Sequence, residues 1–248
     1  FVKCDIADYD ALVETVFDQY DIDVLINFAA ETHVDRSILD SRAFLMTNIL
    51  GVHNLLECVR AFNITRFLQV STDEVYGTLG ETGYFTEQTP LSPNSPYAAS
   101  KSAADQLILS YVHTHHVPAL ITRCSNNYGP YQFPEKLIPL MVTNALYDQP
   151  LPIYGTGEQV RDWIHVDDHC SALDIVLQKG VLGEVYNIGG SCEKSNLEVV
   201  QMILSHLDKP ESLIQYVEDR PGHDFRYAID HQKITKELGW QPQVSFES

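Results

Sequence analysis

Three short apolar runs without polar alternation, separated by stretches of helical periodicity, constrain this chain more than any other feature. They are "DIDVLINFAA" (residues 21–30), "RFLQVS" (66–71) and "PALITRCSNNYG" (118–129). A continuous apolar run suits a strand covered on both faces, the usual condition of a parallel sheet. Between the first two, residues 41–62 place Phe44, Leu45, Ile49, Val52, Leu55, Leu56 and Val59 at helical spacing. Between the second and third, "NSPYAASKSAADQLILSYVHTHH" (94–116) offers Ser95 as N-cap and Pro96 at the first helical position. Strands alternating with helices of this length predict an α/β fold with a doubly wound parallel, Rossmann-type sheet. In such sheets ligands sit at the carboxyl ends of the strands.

Past Gly129 the sequence turns richer in Pro, Gly and aromatic residues. Helices are expected at 136–147, 167–178 and 196–207 and within "HQKITKELGW", with strands at "VRDWIHV" and "EVYNIGG". These segments predict a smaller C-terminal lobe closing over the sheet. The net charge of −18 argues against a nucleic-acid or anionic-membrane partner, since both require a basic face. No apolar stretch approaches the length that spans a bilayer, and "FVKCDIADYD" has none of the marks of a signal peptide, so a cytoplasmic location is expected. The five cysteines are scattered and never form a C-x-x-C pair, which predicts reduced, mostly buried thiols. No metal site is expected: "HTHH" (113–116) lies at a helix end, where cationic capping or solvent exposure accounts for it, and His33 is expected to order its loop.

Two motifs carry chemistry. "STDEVYG" (71–77) sets two adjacent carboxyl groups at the end of a buried strand, a costly placement unless they are paired or used. On an extended strand Thr72 and Glu74 share one side and Asp73 the other. All three can address one ligand only if the strand ends near Thr72 and the chain curls above the sheet edge. Two carboxyls in different environments can then divide the work of acid and base. "YAASK" places Tyr97 and Lys101 on one helix face, where a nearby ammonium favours the phenolate.

"NFAAETHVDRS", "STDEVYG", "YAASK", "SNNYGPYQFPEKLIP", "RDWIHVDD", "YNIGG" and "DRPGHDFRYAID", in this order along the whole chain, resemble the dTDP-glucose 4,6-dehydratases of the extended short-chain dehydrogenase/reductase superfamily. The resemblance implies NAD-dependent dehydration of dTDP-glucose to dTDP-4-keto-6-deoxyglucose, on the way to deoxysugars such as rhamnose. Tyr97 would take the hydroxyl proton at carbon 4 while hydride leaves to NAD, with Lys101 holding the nicotinamide ribose and Thr72 bonding the same sugar oxygen. Glu74 would then remove the carbon-5 proton, Asp73 would protonate the hydroxyl leaving carbon 6, and hydride would return to carbon 6. For the cofactor the resemblance implies Asp5 and Ile6 at the adenine, Phe28, Ala29, Ala30 and Thr32 along the channel, and Thr47 and Asn127 beside them. For the nucleotide-sugar it implies Thr32, Asn126, Lys136, Leu137, Pro152, Ile153, Tyr154, Arg161, Asn196, Asp219, Arg220, Pro221, Gly222 and His223. Lys136, Arg161 and Arg220 stand out in a chain with 16 basic residues, because a diphosphate needs cations. A homodimer is expected by the same resemblance, pairing helices 41–62 and 96–116.

The implied division is an NAD-binding Rossmann-type domain at 1–129 and a mainly nucleotide-sugar-binding lobe at 130–248, with some segments returning to the sheet. The 248 residues contain no glycine-rich turn of the kind that cradles a pyrophosphate. The chain therefore reads as lacking its first βαβ unit, roughly 30 or more residues, and a further C-terminal helix, and is expected to bind NAD poorly as it stands. Rival readings are a UDP-glucose 4,6-dehydratase, an epimerase or decarboxylase of the same superfamily, and a nucleotide-sugar binding module or inactive fragment.

Overall fold

The structure, a computed structural model, describes residues 1–247. From the N-terminus, α1 (Tyr9–Leu12) continues as a π-helical turn at Val13–Phe17 and leads into β1 (Val24–Asn27). After the short α2 (Val34–Leu39), one continuous helix is formed by α3 (Arg42–Phe44), a π-helical segment at Leu45–Gly51 and α4 (Val52–Ala61). β2 (Arg66–Thr72) ends in a 3-10 turn at Asp73–Tyr76, followed by α5 (Pro96–His115), β3 (Ala119–Cys124) and β4 (Asn126–Tyr128). Then come α6 (Leu137–Leu146), β5 (Leu151–Tyr154), β6 (Val160–His165), α7 (Val166–Lys179) and β7 (Val185–Ile188). β8 (Glu193–Ser195), α8 (Asn196–His206), β9 (Ile214–Val217) and α9 (Gln232–Leu238) complete the order.

β1, β2, β3 and β7 form a parallel sheet in that order. Successive residues of β2 point to opposite faces, so Phe67 packs with Leu55, Leu56, Val59 and Ile108 from α4 and α5, whereas Leu68 packs with Val176 of α7 and Ile234 of α9. Helices therefore cover both faces, as the apolar runs require. The expected N-cap of α5 is present: the Ser95 hydroxyl accepts from the Ala98 amide at 3.1 Å. His116 closes that helix in the left-handed region (φ 56°), and His113 and His115 are exposed. A third core cluster, with Met141, Leu151, Ile153, Val200 and Leu204, joins α6, β5 and α8.

β1 is the first strand in the order of the four-stranded sheet, with Val24, Ile26 and Phe28 40%, 38% and 62% exposed. The structure corrects three expectations. "PALITRCSNNYG" is two strands in two sheets. β3 ends at Cys124, and β4 leaves to pair with β6 in a small sheet that also holds β8. The thiols are free but Cys58 alone is fully buried, and Cys170 is exposed because it lies on the outer side of α7. Finally α1, α2, β5, β8 and β9, each too short to show a periodicity, went unread.

Candidate active site

β2 stays paired with β3 up to Thr72 opposite Cys124, and there the extended chain stops. Thr72 caps the 3-10 turn: its hydroxyl accepts from the Glu74 amide at 3.2 Å and donates to Asp73 Oδ1 at 3.3 Å. This curl turns what would be opposite faces of a strand into one cluster. Asp73 is 2% exposed, and its Oδ2 has no hydrogen-bond partner among the described residues. Burial, then the neighbouring Glu74 and Asp162 carboxyls, push Asp73 well above the ordinary carboxylate range. Burial raises Glu74 too, but the Arg220 and Arg161 guanidiniums pull it back. Adjacent carboxyls thus occupy different fields, one hostile to charge and one tempered by two cations.

Tyr97 stands in the first turn of α5, 7% exposed, with its ring edge-on to Phe44 at 6.4 Å and its amide donating to Ser37 Oγ at 3.1 Å. Burial drives the phenol well up, and Glu74 and Cys124 add to this; the lowering influence comes from the Thr72 hydroxyl. Lys101, one turn on, donates to the Val70 carbonyl at 2.8 Å, and burial lowers its pKa against the pull of Asp105. This contact takes one of the three donors of the Lys101 ammonium.

Glu74 borders a cavity of about 330 Å³. Thr32, Asn126, Lys136, Leu137, Pro152, Ile153, Tyr154, Arg161, Asn196, Arg220 and His223 also line it, which brings together eleven of the residues expected to face a nucleotide-sugar. The small sheets do the positioning. β4 sets Asn126 opposite Trp163 of β6, and β5 sets Tyr154 opposite Val217 of β9, just ahead of the 219–223 segment. Arg161 is 5% exposed, spreads over the Tyr227 ring at 4.3 Å and donates to the carbonyls of Val160 (2.8 Å) and Asp224 (3.0 Å). Lys136 donates to the Thr32 carbonyl at 3.1 Å, and Arg220 meets Asp35 at 3.2 Å.

Pro221 and Gly222 are exposed and stay off the cavity wall; Gly222 (φ +67°) turns the chain where a Cβ would collide with the Asn94 carbonyl. Asp219 also sits off the wall, bonding His223 Nδ1 at 2.6 Å and accepting from Gln159 at 3.0 Å. Asp35, Glu135, Trp163 and Tyr227 line the cavity without having been singled out, and so does His33, whose ring approaches Glu135 at 3.9 Å and makes no capping hydrogen bond to its own loop. Asp35 lay inside the quoted "THVDRS" and Tyr227 inside "DFRYAID", so proximity to a motif was the available signal.

Of the residues expected to hold a cofactor, Asn127 is the most firmly fixed. His169 Nδ1 meets its Oδ1 at 2.7 Å and its Nδ2 donates to the Ser125 carbonyl at 3.0 Å. Phe28 and Ala29 are exposed at the carboxyl end of β1, Ala30 and Thr47 are half-buried, and Asp5 closes its own loop by accepting from the Ala7 amide at 2.9 Å. Ile6 packs against Gly51, where any Cβ would come within 2.6 Å of it.

The profile of the GDP-mannose 4,6 dehydratase family matches residues 1–248. A dTDP-glucose 4,6-dehydratase of Xanthomonas campestris pv. campestris is 56% identical over 265 residues, covering 100% of this chain and 75% of the relative. The chain belongs to the dTDP-glucose 4,6-dehydratase family. Among solved structures, the family's DesIV from Streptomyces venezuelae, with NAD bound, superposes with a TM-score of 0.96 at 48% identity over 100% of this chain and 76% of that one. A UDP-glucose 4-epimerase from Thermus thermophilus, in complex with NAD, reaches a TM-score of 0.92 at 29% identity over 98% and 80% of the two chains. These structures confirm the α/β fold of the Rossmann type. Among the described residues no helix is long and apolar enough to cross a membrane, and no group of His, Cys, Asp and Glu could hold a metal ion.

Proposed function

We propose that this chain catalyses NAD-dependent dehydration of dTDP-glucose, with Thr72, Asp73, Glu74, Tyr97 and Lys101 as its catalytic group. The observation that carries the reading is the curl after Thr72, which gathers two differently tuned carboxyls and a buried tyrosine beside a cavity with three cations. An epimerase needs the tyrosine and lysine but has no use for a separate acid and base beyond them.

The residues present suit the nicotinamide end of the cofactor. Tyr97 and Lys101 share a helix face, Asn127 is pinned by His169, and small, open backbone follows β1 at Ala29 and Ala30. NAD, when bound, supplies a reversible hydride acceptor. Tyr97, as a phenolate steadied by the Thr72 hydroxyl, takes the carbon-4 hydroxyl proton and becomes the neutral phenol. The carbon-4 ketone acidifies the proton at carbon 5, which Glu74 removes; Arg220 and Arg161 oppose the rise that burial imposes on this carboxyl. Asp73, held protonated by burial and by its carboxylate neighbours, gives its proton to the hydroxyl leaving carbon 6. Lys136, Arg161 and Arg220 hold the diphosphate, and Asp219 supports them from off the wall through His223 and the Arg220 amide.

The same reading divides the chain into a cofactor domain at 1–129 and a substrate lobe at 130–248, from which β7 and α7 return to the main sheet. It makes the protein a homodimer, supported by exposed Leu39, Leu45 and Met46 along the α2 to α4 surface. It also places the protein in the cytoplasm, in keeping with five free cysteines. Incubation with dTDP-glucose and NAD followed by mass spectrometry tests the reading: loss of one water supports it, and a product of unchanged mass rejects it.

A further inference from the structure

The cavity's three cations are not held alike. Arg161 is bound by backbone carbonyls, and Lys136 by the carbonyl and hydroxyl of Thr32, with Glu135 more distant at 3.9 Å. Arg220 alone is held closely by a charge: its Nη1 meets Asp35 Oδ1 at 3.2 Å. The other oxygen of Asp35 accepts from the Tyr154 hydroxyl at 3.0 Å. Both partners come from the β5/β9 side of the cavity, whereas Asp35 comes from α2 on the opposite wall. A single carboxylate thus ties the two walls through the side chains a diphosphate would engage.

Resting on the nucleotide-sugar reading of this cavity, we propose that Asp35 is an internal surrogate for the substrate's diphosphate and competes with it for Arg220. Arg220 Nε is buried and has no partner among the described residues, so the guanidinium has a donor free for a second oxygen. A diphosphate offers several oxygens in the fork geometry that Arg matches bidentately, which one monodentate contact to Asp35 does not. Entry of the ligand transfers Arg220 from Asp35 to phosphate and leaves the carboxylate beside an anion. Asp35 therefore lowers affinity for anionic ligands, in proportion to their charge, while keeping Arg220 ordered in their absence.

Calorimetric titration of the protein with thymidine diphosphate and with thymidine tests this without any cofactor. Asp35→Asn keeps one oxygen to accept from Arg220, presents its amide NH2 to the Tyr154 hydroxyl, which can accept, and removes the charge; a melting curve checks that folding is preserved. The variant should bind thymidine diphosphate about two- to fivefold more tightly, the range expected when a partly exposed ion pair no longer competes, and thymidine unchanged. Weaker or unaltered diphosphate binding, or equal tightening for both ligands, overturns the proposal. A wild-type protein that binds neither ligand rejects the reading of the cavity itself, and the proposal with it.

Discussion

Replacing Arg123 by Met should destabilise the platform beneath the catalytic residues without touching any of them. Arg123 on β3 is 3% exposed; its Nε donates to Asp105 Oδ2 at 2.8 Å and its Nη1 to the Tyr76 hydroxyl at 3.0 Å. Asp105 lies on α5, one turn beyond Lys101, and Tyr76 ends the 3-10 turn that carries Asp73 and Glu74. One guanidinium therefore ties together the three elements that bring the active-site residues into register. Tyr76 survives its loss, since its hydroxyl still donates to Asn187 Oδ1 at 2.7 Å. Asp105, fully buried, loses its ion-pair partner and keeps only the more distant Lys101 charge and the Ser71 hydroxyl. Stranding one partner of a buried ion pair costs about 3–5 kcal/mol, and at about 2–4 °C per kcal/mol for a chain of this size the melting temperature should fall by about 6–20 °C. Exchanging both partners for apolar residues, Asp105→Leu with Arg123→Met, should recover most of that loss. Differential scanning calorimetry with chemical denaturation at a second, independent probe decides it. A single variant within about 1 kcal/mol of wild type, or a double variant as unstable as the single, would refute the reasoning.

Tyr97→Phe should lower kcat by about 10²–10⁴-fold, the usual contribution of a positioned proton-transfer group, with substrate affinity by calorimetry nearly unchanged. Glu74→Gln should abolish exchange of the carbon-5 hydrogen with deuterated solvent, whereas Asp73→Asn should retain that exchange while water loss slows; proton NMR of the sugar separates the two. His169, pushed down to about 4 by burial, should cost stability as pH falls from about 6.5 to 4, so His169→Gln should flatten that slope. Asp162, pushed up to about 6 by burial, has the opposite sign: its contribution is present below about 4 and lost as pH rises through 6, so Asp162→Asn should steepen the acid loss. Urea midpoints at pH 4, 5, 6 and 7 measure both slopes.

The main sheet was legible because its strands are continuous apolar runs and its longest helices carry either clear periodicity, at Phe44 to Val59, or a cap and proline, at Ser95 and Pro96. The small sheets were not. β4, β5, β8 and β9 have three or four residues each, and their pairing is decided by what they lie against: Pro152 sits in β5 because that strand pairs with β9 alone. In the active site the curl at Thr72 was readable from the cost of two buried carboxyls in succession. The bond from Lys101 to the Val70 carbonyl was not, since it depends on a strand atom with no sequence signature. Asp35 escaped notice for a similar reason: one carboxylate in a chain with net charge −18 acquires a role only when folding sets Arg220 and Tyr154 against it.

The most direct test of the central claim is the mass of the sugar nucleotide recovered after incubating the protein with dTDP-glucose and NAD in water enriched in deuterium. The account predicts a product lighter by one water that carries one solvent deuterium at carbon 5. A product of unchanged composition, differing from the substrate only in configuration at carbon 4, would contradict it.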